Sequence, residues 1–132
     1  TSTRVELGAG ADSINFSGVV NSQTLLGGAG SDTISFAGYI SGVGVDAGAD
    51  ADSLYFASAV ATNDNTLMGG AGADTFGFAG HVTGLISGGA GNDSLTFASG
   101  ASQTNKKGAN PCLFFSIDNG PIYRRRSSVL WQ

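Results

Sequence analysis

Five aspartates recur along the chain almost in step: Asp12, Asp32, Asp52, Asp74 and Asp93, at spacings of 20, 20, 22 and 19 residues. Each follows a loop of glycine, alanine and other small residues, and each precedes a phenylalanine by four positions: Phe16, Phe36, Phe56, Phe78 and Phe97. A carboxylate beside a run of small residues is a donor set for a hard divalent cation. Calcium takes roughly six to eight oxygens, drawn from carboxylates and backbone carbonyls alike. Glycine suits such a loop because it reaches positive φ without steric cost and can turn its carbonyl toward a common point. A phosphate cradle is the wrong reading: the loops carry no lysine, and the acid would repel the ligand.

The elements that would position these acids are strands. Two residues before each phenylalanine stands Ile14, Ile34, Leu54, Phe76 or Leu95, and two before each loop stands Val5, Leu25, Val45, Leu67 or Ile86. A period of two is strand spacing, and glycine at this density disfavours helix by about 1 kcal/mol per residue relative to alanine. Ile14 and Phe16 should face inward, with Ser13 and Asn15 outward. Each repeat reads as two or three short strands and one coil of a solenoid. The expected fold is all-β, a parallel β-roll or β-solenoid of about five coils, with the phenylalanines stacked as an internal ladder. Stacking also brings the acids together. Parallel neighbours lie about 4.8 Å apart, and two carboxylates at roughly 5 Å repel by about 3 kcal/mol at an effective dielectric of about 20. A bound cation would resolve that repulsion.

The stretches "LLGGAGSDTIS" from Leu25, "LMGGAGADTFG" from Leu67 and "ISGGAGNDSLT" from Ile86 resemble the RTX (repeats-in-toxin, hemolysin-type) signature G-G-x-G-x-D-x-U-x. The resemblance runs over most of residues 5–98 and implies a parallel β-roll with calcium between stacked loops. Carried over, it makes Asp12, Asp32, Asp52, Asp74 and Asp93 the carboxylate ligands. The carbonyl donors would lie in the loops around Gly8 and Gly10, Gly28 and Gly30, Gly48 and Asp50, Gly70 and Gly72, and Gly89 and Gly91. The chain departs from the family pattern in three ways. The nonapeptide occurs once per coil of about twenty residues, which predicts one row of ions along one edge. In the first copy Leu7 replaces the first glycine. In the third, Ala47 replaces the first glycine and Asp50 a later one, with Asp46 and Asp52 nearby.

Charge divides the chain near Asn105. Residues 1–105 hold nine acids against Arg4 alone, a net −8, whereas residues 106–132 hold five basic side chains against Asp118, a net +4. The expected division is a repeat domain, 1–105, and a basic tail, 106–132, that shares nothing with the repeats. The tail can be a cap in which "CLFFSI" covers the end of the phenylalanine ladder, a flexible segment, or sequence foreign to the repeats. Its Arg124–Arg126 run reads as a solvated cluster that could also dock on the acidic repeats of a neighbour.

A repeat region at −8 is a poor partner for nucleic acid. No stretch has the apolar length of a membrane helix. The chain opens without Met or a charged-then-apolar leader and reads as a processed product or a fragment. The single cysteine, Cys112, excludes an intrachain disulfide. His81 is the only histidine and there is no H-E-x-x-H or G-x-S-x-G, so no enzyme is expected. The function expected is a calcium-binding structural module of an extracellular or cell-surface bacterial protein, folding on calcium and able to self-associate through its coil ends. The alternatives are a metal-free solenoid serving as a structural or binding surface and, third, an ice-binding face. The column Ser13, Thr33, Ser53, Thr75 and Ser94 suggests the last, but its companion, Asn15, Ser35, Tyr55, Gly77 and Thr96, is irregular.

Overall fold

The computed structural model describes residues 2–58, 65–98, 103–104 and 115–117. Cys112 and Arg124–Arg126 lie outside them, as does most of the tail. The chain winds as a repetition of one unit. The first coil contains β1 (Thr3–Ala9), β2 (Ser13–Phe16) and β3 (Val20–Asn21); the second β4 (Gln23–Ala29), β5 (Thr33–Phe36) and β6 (Ile40–Ser41). The third contains β7 (Gly44–Ala49) and β8 (Ser53–Phe56), the fourth β9 (Thr66–Ala71), β10 (Thr75–Phe78) and β11 (Val82–Thr83). The fifth contains β12 (Leu85–Ala90), β13 (Ser94–Phe97) and β14 (Gln103–Thr104), and β15 (Phe115–Ile117) follows.

Corresponding strands pair in parallel from coil to coil. One sheet runs β1-β4-β7-β9-β12-β15 and a second β13-β10-β8-β5-β2, while β3-β6 and β11-β14 form two-stranded sheets. The register repeats the sequence repeat: Val5 pairs with Leu25, Leu25 with Val45, Val45 with Leu67, and Leu67 with Ile86. The expected all-β parallel solenoid is therefore the observed fold, with about four turns and the motif returning once in each.

Alternation within each short strand sets the core. Ile34, Leu54 and Phe76, with Phe36, Phe56 and Phe78, are buried between the sheets together with Leu25, Val45, Leu67 and Ile86. The phenylalanines form the expected ladder, with centroids 4.9 Å apart for Phe16–Phe36, 5.1 Å for Phe36–Phe56, 4.9 Å for Phe56–Phe78 and 5.3 Å for Phe78–Phe97. These spacings follow the parallel strand separation, so ring stacking is imposed by the backbone and adds to burial. At the ends, where one neighbour is missing, Val5, Ile14, Phe16, Leu95 and Phe97 are only partly buried. The tail supplies β15, which pairs in parallel with β12 and brings Phe115 beside Ile86 in register. The register shifts between Ser87 and Gly89, so this sixth strand departs from the pairing pattern that the coils share.

Candidate metal centre

Every long strand leads into a loop that ends on the motif aspartate. The backbone there is left-handed twice. The first position is Gly8, Gly28, Gly48, Gly70 or Gly89, and at Gly28 φ is +118°. A side chain would be strained at that φ, and a Cβ on Gly28 would collide with the carbonyl oxygen of Gly8 on the coil below. Tight backbone stacking, and not flexibility, requires glycine here. The second position is Gly10, Gly30, Gly72 or Gly91, and in the third coil it is Asp50, at φ +79°. Aspartate tolerates this region better than most residues, and the third loop keeps its shape.

The aspartates stack into one column. Four of them use one carboxylate oxygen on the preceding coil: Asp32 Oδ1 accepts from the Asp12 N–H at 2.8 Å and Asp52 Oδ1 from the Asp32 N–H at 2.7 Å. Asp74 Oδ1 accepts from the Asp52 N–H, and Asp93 Oδ1 from the Asp74 N–H, both at 2.9 Å. The sequence does not announce these bonds; an Asx-turn would have used an amide of the same loop, whereas these reach the neighbouring coil. The second oxygen is different. Oδ2 of Asp12, Asp32, Asp52, Asp74 and Asp93 is in each case buried without a hydrogen-bond partner. Asp32 is 1% exposed and Asp74 0%. Burial without a partner costs a charged oxygen dearly. Accordingly, burial raises the Asp74 carboxyl to about 6; the Asp52 N–H bond opposes the shift and the charges of Asp52 and Asp93 reinforce it. Asp52 is also raised, by burial first, with Asp32, Asp50 and Asp46 adding repulsion against the bond from the Asp32 N–H.

Backbone oxygens converge on the same places. A Cβ on Gly69 would collide with both Asp74 Oδ2 and the carbonyl oxygen of Gly88, on the next coil. One on Gly27 would meet Asp32 Oδ2 and the carbonyl of Ala47, again on the next coil. The open α-carbon thus faces a carboxylate oxygen of its own coil and a carbonyl oxygen of its neighbour. Among the described residues no cluster of three His, Cys, Asp or Glu side chains could hold a metal ion. Any ion at this edge must rely on carbonyls for most of its shell. Orphaned buried carboxylate oxygens, approaching carbonyls and exclusively oxygen donors fit a hard cation of the calcium type.

The model of the RTX calcium-binding nonapeptide repeat matches this chain in four copies, over residues 17–35, 61–76 and 85–103. The repeats thus match the RTX calcium-binding signature. No curated protein and no solved structure matches the chain. The described residues of the matched segments lie in the β-solenoid described above.

All fifteen residues named from sequence as metal donors fall on this one edge, within the five stacked loops. His81 is exposed on the fourth coil and is remote from the acid column in sequence register. Sequence reading missed Asn65, which is buried at the opposite end of the long strand. Its side-chain oxygen accepts from the Val43 N–H at 2.8 Å and its amide donates to the Thr83 carbonyl at 3.5 Å. It occurs in one coil only, so no periodicity could have pointed to it.

Proposed function

We propose that this chain is a calcium-loaded structural module of an extracellular bacterial protein, of the adhesin, surface-layer or exported RTX type. Its ions would form a single row along the loop edge, between stacked coils. The observation that carries this reading is the column of five buried, unpartnered Oδ2 atoms. In it Asp12, Asp32, Asp52, Asp74 and Asp93 supply carboxylate oxygen, and the loops around Gly8, Gly10, Gly28, Gly30, Gly48, Asp50, Gly70, Gly72, Gly89 and Gly91 supply carbonyls. Calcium supplies the positive charge that the chain lacks there. Folding is coupled to binding, because an empty column sets buried carboxylates against one another. Such coupling suits a protein that stays unfolded where calcium is scarce and folds where it is plentiful. No enzymatic role is assigned to the repeats. The coil ends, with half-buried Phe16 and Phe97 and unpaired strand edges, suit contact with further coils or a second copy.

The second reading is a metal-free solenoid serving as a structural or binding surface. The Oδ1 bonds favour it, since they tie coil to coil without an ion. The unpartnered Oδ2 atoms weigh against it. Ice binding needs a flat, regular outward face. A Cβ on Gly77 would lie 3.0 Å from the Tyr55 ring, and Tyr55 is exposed, so a bulky side chain interrupts that face. Among the described residues no helix is long and apolar enough to cross a membrane. Circular dichroism with chelator and then with millimolar calcium tests the proposal. Gain of β-structure and of melting temperature on adding calcium is expected; identical spectra and melts would refute it.

A further inference from the structure

We infer that the loop sites are not equivalent, and that the residue at the first loop position decides which of them bind an ion tightly. The register places Leu7, Gly27, Ala47, Gly69 and Gly88 in one column, each one residue before a left-handed glycine. The inference rests on the calcium reading above. Its physical basis is the space over that position. At Gly27 and Gly69 the absent side chain leaves open the point where Asp32 Oδ2 meets the Ala47 carbonyl, and where Asp74 Oδ2 meets the Gly88 carbonyl. At Gly88 the same direction leads onto Asp93 Oδ2.

Two coils fill this space. Ala47 carries the methyl that Gly27 and Gly69 lack, and it is wholly buried, so its Cβ cannot swing out to solvent. Leu7 places a larger side chain there, packed against the core. In both coils an apolar group occupies the place that, in the others, lies between the carboxylate and the next coil's carbonyl. An ion at Asp52 or Asp12 must then either lose that carbonyl or push the methyl aside, and close packing opposes both. Asp46 and Asp50 add negative charge around Asp52 but cannot restore the excluded approach. The fifth coil has the open glycine, but among the described residues no further repeat follows it: β15 is three residues long and pairs with a shifted register. Two coils therefore combine an open first position with a following loop: the second, through Asp32, and the fourth, through Asp74. They flank the third, which acts as the weak link in a calcium-ordered roll.

Isothermal calorimetry with calcium on the full chain tests this through stoichiometry and affinity. The unaltered protein should show two tight sites and weaker binding beyond them. Ala47→Gly removes only a methyl and should create a third tight site, or tighten a weak one by about tenfold or more. Gly69→Ala should lose one tight site. Since that change also crowds the Gly88 backbone, Asp74→Asn is its companion: it keeps the Oδ1 acceptor, fills no space and should lose the same site. If the protein binds calcium but Ala47→Gly leaves number and affinity unchanged, the inference fails while the calcium function stands. Four equal sites in the unaltered protein would also overturn it. A chain that binds no calcium at all would instead remove the proposed function.

Discussion

The two ends of the long strand β9 bury polar side chains in opposite ways. At one end, Asn65 is 2% exposed, and its amide oxygen and nitrogen both find backbone partners. At the other, Asp74 is just as buried, yet only one of its oxygens is used within the chain. A neutral amide can be satisfied by the polypeptide alone. A carboxylate with one spare buried oxygen needs something the polypeptide does not provide. The lesson is that a solenoid of this kind has a self-sufficient edge and a dependent edge, joined by the same strands and the same phenylalanine ladder.

The largest disturbance should come from the geometry that both edges share. Gly28→Ala combines a φ of +118° with a backbone collision against the Gly8 carbonyl. It should cost roughly 3 kcal/mol or more, read by chemical denaturation with calcium present. A loss below about 1 kcal/mol would mean that the coils can slide apart at the loops.

Paired substitutions then separate the edges. Asn65→Ala strands the Val43 N–H and should cost about 1–3 kcal/mol, equally with calcium and with chelator. Asp74→Asn should do the reverse: it removes a buried charge, so the metal-free protein gains stability, while the calcium-loaded protein loses it. Thermal melts of both variants in both conditions give a two-by-two comparison. If Asp74→Asn shifts the melt in the same direction with and without calcium, the dependence of that edge on an ion is contradicted.

Acid should affect the dependent edge in the same sense as the Asn substitution. The ordinary carboxyl value is 3.8, and Asp74 is raised to about 6, first by its burial. Between these values the folded chain holds a proton that the unfolded chain has released. Metal-free stability therefore falls as pH rises from about 4 to 6, and is flat with respect to this group on either side. Melts in chelator across that window should show the decline, and Asp74→Asn should reduce it.

Smallest of all should be Val19→Ser. Val19 is 64% exposed on the turn after the first phenylalanine and away from both buried columns. A change within about 0.5 kcal/mol is expected in either condition. A larger effect would mean that the outer surface contributes to the roll's stability.

Much of this was legible in the sequence because the solenoid is periodic. The recurrence of Asp12, Asp32, Asp52, Asp74 and Asp93, with a phenylalanine four residues on, gave strand spacing, stacking and the acid column together. The replacement of a loop glycine by Asp50 was visible as a break in the pattern, and its φ of +79° shows how the loop absorbs it. What escaped was whatever the period does not carry. Asn65 appears once, beside a longer connection, and the Oδ1 bonds depend on which coil's amide a carboxylate reaches. The tail has no repeat to align it, so its pairing of β15 with β12 rested on apolar character alone. The proposal that it caps the roll is checked by deleting residues 106–132. That should lower stability by roughly 1.5–3 kcal/mol if one core-sized side chain loses its cover, and promote association through the freed edge.

The proposed function rests on a cation meeting the orphaned oxygens of the aspartate column. The direct measurement is a calcium titration of the chelator-treated chain followed by far-ultraviolet circular dichroism, with magnesium as the control. A cooperative rise in β-structure with calcium, absent with magnesium and abolished by combining Asp32→Asn with Asp74→Asn, is the predicted result. A chain already fully folded in chelator, whose spectrum and melting temperature ignore calcium, would contradict it.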